Sequence, residues 1–263
     1  MRILLSNDDG IDAEGLWVLA EELSQIAQVT IAAPDREQSA VGTAVSLRKP
    51  LRVQRIVPRK AGVEAYSVGG TPSDSVIVAL GKLIPDKVDL VISGINRGSN
   101  MGEDVLISGT VGAALAAYLR GFPAVAVSCF FENWQRPYLD DVARFTRLLV
   151  KRLTAAQLPG NLLLNVNMPN LPLDKAKGIR ITGLAHRSHV NTVEEAHDEQ
   201  GAYYTLIREG VSLQNNKRSD IQAAAQGNIS ITPLSLFLND RLPLAVLEKP
   251  IAGLLEEFKA VQA

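Results

Sequence analysis

Apolar and polar positions follow two rhythms along this chain, and the switching between them predicts its elements. Short, mostly apolar stretches at residues 3–6, 29–33, 89–95, 124–130 and 161–168 read as buried strands of a parallel sheet, and 63–68 reads as a further strand. Between them the spacing becomes helical. Leu16, Leu19, Leu23 and Ile26 share one face of a helix over 15–27. Thr71 and Pro72 supply a cap and a favoured first position for a helix over 73–83. An alanine-rich helix covers 110–120, stopped by Gly121 and Pro123, and a long amphipathic helix covers 139–156. Strands that alternate with helices predict an α/β fold: a Rossmann-like, doubly wound, mostly parallel sheet with right-handed crossovers, spanning 1–169.

After Pro169 the texture changes. The stretch 170–174 is a break, 179–184 and 202–208 are strand-like, and 186–200 is a polar segment between them. A short helix at 220–225, a strand at 229–231 and an amphipathic helix at 251–261 follow. The expectation is a smaller C-terminal α+β extension over 170–245, with hairpin arms that need a neighbouring subunit to cover them, and a C-terminal helix over 246–263.

The ends of the predicted strands carry the candidate chemistry. The first runs into Asn7-Asp8-Asp9-Gly10. Ligands of open α/β sheets bind beyond the carboxyl ends of strands, and two acids there suit a hard metal ion or phosphate chemistry. Neighbouring side chains on a strand point to opposite faces, so both acids reach one ion only if the strand has ended, which Gly10 permits. A plain turn or a helix cap is the competing reading of Asp-Asp-Gly. The second strand leads into a polar loop that contains Ser39. The strand that starts at Asp89 leads into Ser93-Gly-Ile-Asn-Arg-Gly-Ser-Asn-Met-Gly102, and Ser108-Gly109-Thr110 opens a helix whose free N–H groups hold anions well. There is no Walker loop and no dinucleotide fingerprint.

All-oxygen donors favour Mg²⁺, Mn²⁺ or Ca²⁺ over zinc. His186, His189 and His197 have no standard zinc spacing and lie outside the predicted core. The net charge of −1 over 263 residues points away from a nucleic-acid polymer or an anionic membrane as partner. No apolar run is long enough to span a bilayer, and no secretory pattern follows Arg2. Cys129 is the single cysteine and reads as a small buried hydrophobe, so a reducing cytoplasm is expected.

Four segments resemble the SurE family of survival proteins. They are 2–10, the loop ending in Ser39, Ser93-Gly-Ile-Asn96 through Asn100 with Ser108-Gly-Thr-Val111, and Gly69-Gly-Thr-Pro-x-Asp74; a weaker fifth is Ser219-Asp220 with Ser230-Ile-Thr-Pro-Leu234. The resemblance implies metal-dependent hydrolysis of nucleoside 5′- and 3′-monophosphates. It implies one divalent ion per subunit, Mg²⁺ or Mn²⁺, on Asp8, Asp9, Ser39 and Asn96. Asn96, Ser108, Gly109 and Thr110 are expected near the substrate phosphate, and a homodimer or homotetramer with exchanged C-terminal elements is expected. Ala40 stands where the family usually has glycine, and Asp12 where many members have histidine; both touch the rim of the site rather than its ligands.

Asp8 or Asp9 is then the candidate to orient or deprotonate the attacking water, with Asp8 as covalent nucleophile the other option. A nucleotide-binding regulatory protein without turnover is the rival from another class. Two acids repel phosphate unless a cation intervenes, which argues against it. Adjacent acids also disfavour a haloacid-dehalogenase-type phosphatase, which spaces its acids as Asp-x-Asp.

Overall fold

The computed structural model describes residues 1–129, 136–156, 162–169, 171–186, 189–199, 201–210 and 218–235. Among these, nine strands form one sheet in the order β3-β4-β2-β1-β5-β6-β7-β11-β8. They are β1 (Arg2–Ser6), β2 (Gln28–Pro34), β3 (Val53–Arg55), β4 (Glu64–Val68), β5 (Leu90–Arg97), β6 (Ala124–Cys129), β7 (Leu163–Met168), β8 (Gly178–Ile181) and β11 (Asn228–Pro233). Neighbours pair in parallel except β3 with β4 and β11 with β7. The predicted doubly wound α/β core is therefore present.

The central strands β1, β2, β5, β6 and β7 are buried along almost their whole length because both faces are covered. Ile3 and Leu5 share a buried cluster with Leu16, Leu19 and Leu23 of helix α1 (Glu14–Leu23) and with Leu139, Val142 and Val150 of α4 (Arg136–Ala155). Leu4, equally buried, alternates to the other face, where α2 (Pro72–Val78) packs beside α3 (Gly109–Tyr118). Cys129 is buried at the end of β6, and its burial pushes the thiol pKa far up, as expected of a packing residue.

The structure departs from the sequence expectations in several places. The polar segment 186–200 contains a strand, β9 (His189–Asp198), paired antiparallel with β10 (Gly201–Gly210) in a separate two-stranded ribbon. Its pattern hides the strand because the described side chains of β9 have no buried face. β3 is an exposed edge strand of three residues and offers no apolar period. The helix over 73–83 stops at Val78 and widens into a π turn, Ala79–Leu83.

A compact unit spans Met1–Pro233, and a second spans Leu234–Ala263. Expected as parts of an extension after residue 169, β8 and β11 instead complete the main sheet, because β11 binds the edge of β7 and then receives β8. Helix α5 (Asp220–Ala225) packs on β11. The helix expected over 251–261 lies outside the described residues.

Candidate active site

β1 ends at Ser6, and a turn follows at once. Asn7 donates its side-chain N–H to the Gly10 carbonyl (2.9 Å), and Gly10 takes φ +95°. A Cβ at Gly10 would sit 3.0 Å from the Arg36 backbone, so glycine is needed twice over. This turn carries Asp8 inward, where it is buried, while Asp9 stays half-buried.

Three neighbours close around the two acids. The loop after β2 docks through the Gln38 N–H on the Asp8 carbonyl (2.7 Å) and presents the exposed Ser39, whose hydroxyl donates to Glu37 Oε1 (2.5 Å). The end of β5 supplies Asn96, and the Arg97 backbone N–H donates to Asp9 Oδ2 (3.2 Å). α3 starts at the same edge. Ser108 caps it, its Oγ accepting from the Val111 N–H (3.1 Å), and Thr110 donates its hydroxyl to Asp8 Oδ1. Gly109 lets the helix approach, since a Cβ there would lie 2.8 Å from the Asp8 Cβ and 3.0 Å from the Gln38 carbonyl oxygen.

Asp8, Ser39, Asn96 and Ser108 line one cleft of about 210 Å³, with Asn100 and Asp104 in its wall. Asp9 lines an adjoining hollow of about 340 Å³ with Glu14 and Glu37. Ser39 and Arg97 border both. A larger hollow of about 480 Å³ lies around Met1, Asp89 and Phe122, at the opposite ends of the strands, and contains none of these groups. Asp8, Asp9, Ser39, Asn96 and Ser108, the polar groups singled out at the strand ends, thus line the smaller pair. Thr110, expected near a phosphate, is fully buried and donates its hydroxyl to Asp8. Gly109 packs against Asp8. Glu37, Arg97 and Asp104 were not singled out from sequence; they sit in a loop, at the end of β5 and in a short 3₁₀ turn, in polar stretches where nothing in the pattern separates a site residue from a solvated one.

Burial raises the Asp8 pKa, and the Thr110 hydroxyl opposes that rise. Asp9 is pushed up to about 6, first by burial, then by the Asp8 charge, with Glu37 adding to it and the Arg97 N–H opposing. Two acids that disfavour each other's ionisation fit a cation between them. Among the described residues no group of three or more His, Cys, Asp and Glu is placed to hold a metal. The donor set is instead two carboxylates with neutral oxygens. Asn96 commits its amide nitrogen to the Gly98 carbonyl (2.8 Å), which leaves its amide oxygen for a cation. Such a set suits a hard ion that keeps open positions.

A family model described as survival protein SurE matches residues 3–191. The chain belongs to the SurE family. The matched range contains Asp8, Asp9, Ser39, Asn96 and the start of α3. A protein named 5′-nucleotidase SurE from Dehalococcoides mccartyi is 47% identical over 262 residues, covering 100% of this chain and 99% of that one. One of the same name from Carboxydothermus hydrogenoformans is 43% identical, covering 91% and 92%. The crystal structure of the SurE protein from Aquifex aeolicus superposes with a TM-score of 0.78 at 31% identity, covering 97% of this chain and 100% of that chain. SurE membership agrees with the Rossmann-like sheet described above.

Proposed function

We propose that the chain is a metal-dependent phosphomonoester hydrolase that releases phosphate from nucleoside 5′- and 3′-monophosphates, with one Mg²⁺ or Mn²⁺ per subunit on Asp8, Asp9, Ser39 and Asn96. The observation that carries the reading is the pair of adjacent acids, one pushed up to about 6, at the mouth of a polar cleft opened by a helix start. The 5′-nucleotidase names of its SurE relatives support the substrate class.

A divalent ion in this position supplies Lewis acidity toward a phosphate oxygen and lowers the pKa of water. The chain's own groups then divide the remaining work. Asp8 is fixed by Thr110 and holds its place without rotamer search. Asp9, the more accessible acid, orients or deprotonates the attacking water. The Ser108 oxygen already accepts from Val111, so its O–H is left to donate to a phosphate oxygen in the cleft. Glu14 and Glu37 beside the neighbouring hollow suit the hydroxyls of a sugar.

No helix among the described residues is long and apolar enough to cross a membrane. The cytoplasmic location and the homodimer or homotetramer with exchanged C-terminal elements belong to this reading. Val193, Tyr203, Tyr204 and Leu206 expose apolar surface on the β9–β10 ribbon, which supports burial against another subunit.

The test is phosphate release from AMP and GMP by purified protein with Mn²⁺ or Mg²⁺, abolished by EDTA. Tight nucleotide binding without release would favour the regulatory reading instead.

A further inference from the structure

We propose that Asp220 is a positioning residue for the cleft: its buried carboxylate ties the wall between Asn96 and Ser108 to the segment at the root of the β9–β10 ribbon. The proposal rests on reading the cleft as the nucleotide site.

Asp220 is 0% exposed. Among the described residues its side chain is served by backbone N–H groups from three places. Gly102 donates to Oδ2 (2.7 Å), and Ala185 (3.0 Å) and Ile221 (2.8 Å) donate to Oδ1. Gly102 is 118 residues away in sequence and opens the 3₁₀ turn Gly102–Leu106 at φ +57°. That turn carries Asp104, whose carbonyl accepts from the Ser108 N–H (3.1 Å). The tether therefore acts two short steps from the cap of α3.

Among the described residues the wall has a further buried anchor two residues earlier, beside backbone bonds from Gly98 to the Cys129 carbonyl and from Gly42 to the Ile107 carbonyl (2.8 Å each). Asn100 donates its N–H to Asn167 Oδ1 (2.8 Å) and its amide to Ser128 (2.8 Å), and its carbonyl accepts from Asn165 (2.7 Å) and Asn167 (2.9 Å). That network fixes the wall to β6 and β7. Asp220 fixes it from the other side, to residues that also hold the ribbon's root: its own N–H donates to the Gly183 carbonyl (3.0 Å), and the Gly183 N–H donates to Arg218 (3.0 Å). A shift at the ribbon's root thus reaches the cleft through one carboxylate.

The two oxygens make the idea separable from folding. Oδ1 serves two donors and Oδ2 serves one. In Asp220→Asn the remaining amide oxygen is best placed on the two-donor side. The new NH₂ then faces the Gly102 N–H, donor against donor, so the wall tether breaks while the ribbon side holds. Ser219→Ala is the control. It removes the cap that accepts from the Gln222 N–H (3.3 Å) and leaves Asp220 in place.

The experiment uses the full chain, with kcat and KM for AMP in Mn²⁺ and amide hydrogen exchange of the metal-free protein. Asp220→Asn is expected to lower kcat at least tenfold with KM changed less than threefold, and to speed exchange across 102–108 at least tenfold. Ser219→Ala is expected to lower Tm and keep kcat within twofold. The proposal fails if Asp220→Asn keeps native kcat or native exchange at 102–108, or if Ser219→Ala loses the same activity. Should Asp220→Asn not fold, the native protein decides: a Gly102 amide that exchanges like an unstructured one rules the tether out, and strong protection supports it. Absence of phosphate release by native protein sinks the nucleotidase reading, while the exchange measurements still judge the tether.

Discussion

Thr110 in the first turn of α3 donates its hydroxyl to Asp8 at the end of β1, joining the helix start to the acid across 102 residues of sequence. Outer partners of this kind commonly hold metal-binding carboxylates in one orientation. Thr110→Val keeps the shape and removes the donor. It is expected to lower kcat or Mn²⁺ affinity by roughly 10- to 100-fold, and Thr110→Ser to restore most of it. Steady-state kinetics and isothermal titration with Mn²⁺ check this, and native values in Thr110→Val would remove the hydroxyl from the account.

Gly109→Ala presses a methyl group against Asp8 and the Gln38 carbonyl, at 2.8 and 3.0 Å. Neither neighbour is the loose end of a long side chain. The expected cost is about 1–3 kcal/mol of stability, with a loss of activity larger than the change in Tm explains. Urea unfolding and phosphate release on the same preparation separate the two effects.

Asp9 gives a pH dependence with a definite sign. Its folded pKa is about 6 against an ordinary 3.8, so the folded chain binds the extra proton between those values. In the metal-free protein the contribution of Asp9 to stability is expected to fall as pH rises through that window, by on the order of 3 kcal/mol, and to level off above pH 6. Asp9→Asn removes the penalty. The metal-free variant is expected to unfold at higher urea than the parent at pH 8 and to differ little at pH 4, and with Mn²⁺ added it is expected to release no phosphate where the parent does. A less stable Asp9→Asn protein at pH 8 would contradict the strain between the acids.

Metal should reverse that trend. Mn²⁺ at about 100 times its Kd is expected to add about 2.7 kcal/mol. The gain should be larger at pH 8 than at pH 5.5, since the acids must shed protons to bind the ion. Differential scanning fluorimetry with and without EDTA reads this directly; a Tm indifferent to Mn²⁺ at both pH values would argue against a metal on these residues.

The sheet was legible in the sequence because strands buried on both faces, such as 3–6 and 124–129, show as unbroken apolar runs. β9 was not, since a ribbon without a buried face has no period to read. The ends of β1 and β5 and the start of α3 announced the cleft because acids, asparagines and hydroxyls are rare beside such strands. What Thr110 does was hidden. A hydroxyl before or inside a helix start reads the same whether it faces a phosphate or an acid behind it. Asp220 stood in a recognisable motif, yet its partners at Gly102 and Ala185 are distant in sequence, so only the folded chain reveals what it holds.

β11 runs between β7 and β8, so the strand made last among those described fills an interior place in the sheet. A truncated protein ending near Pro169 would bare the whole rim of β7, from Leu164 to Asn167, to any strand in solution. Shortened forms of this chain are therefore aggregation hazards, and during synthesis that rim can be sealed only once β11 has left the ribosome.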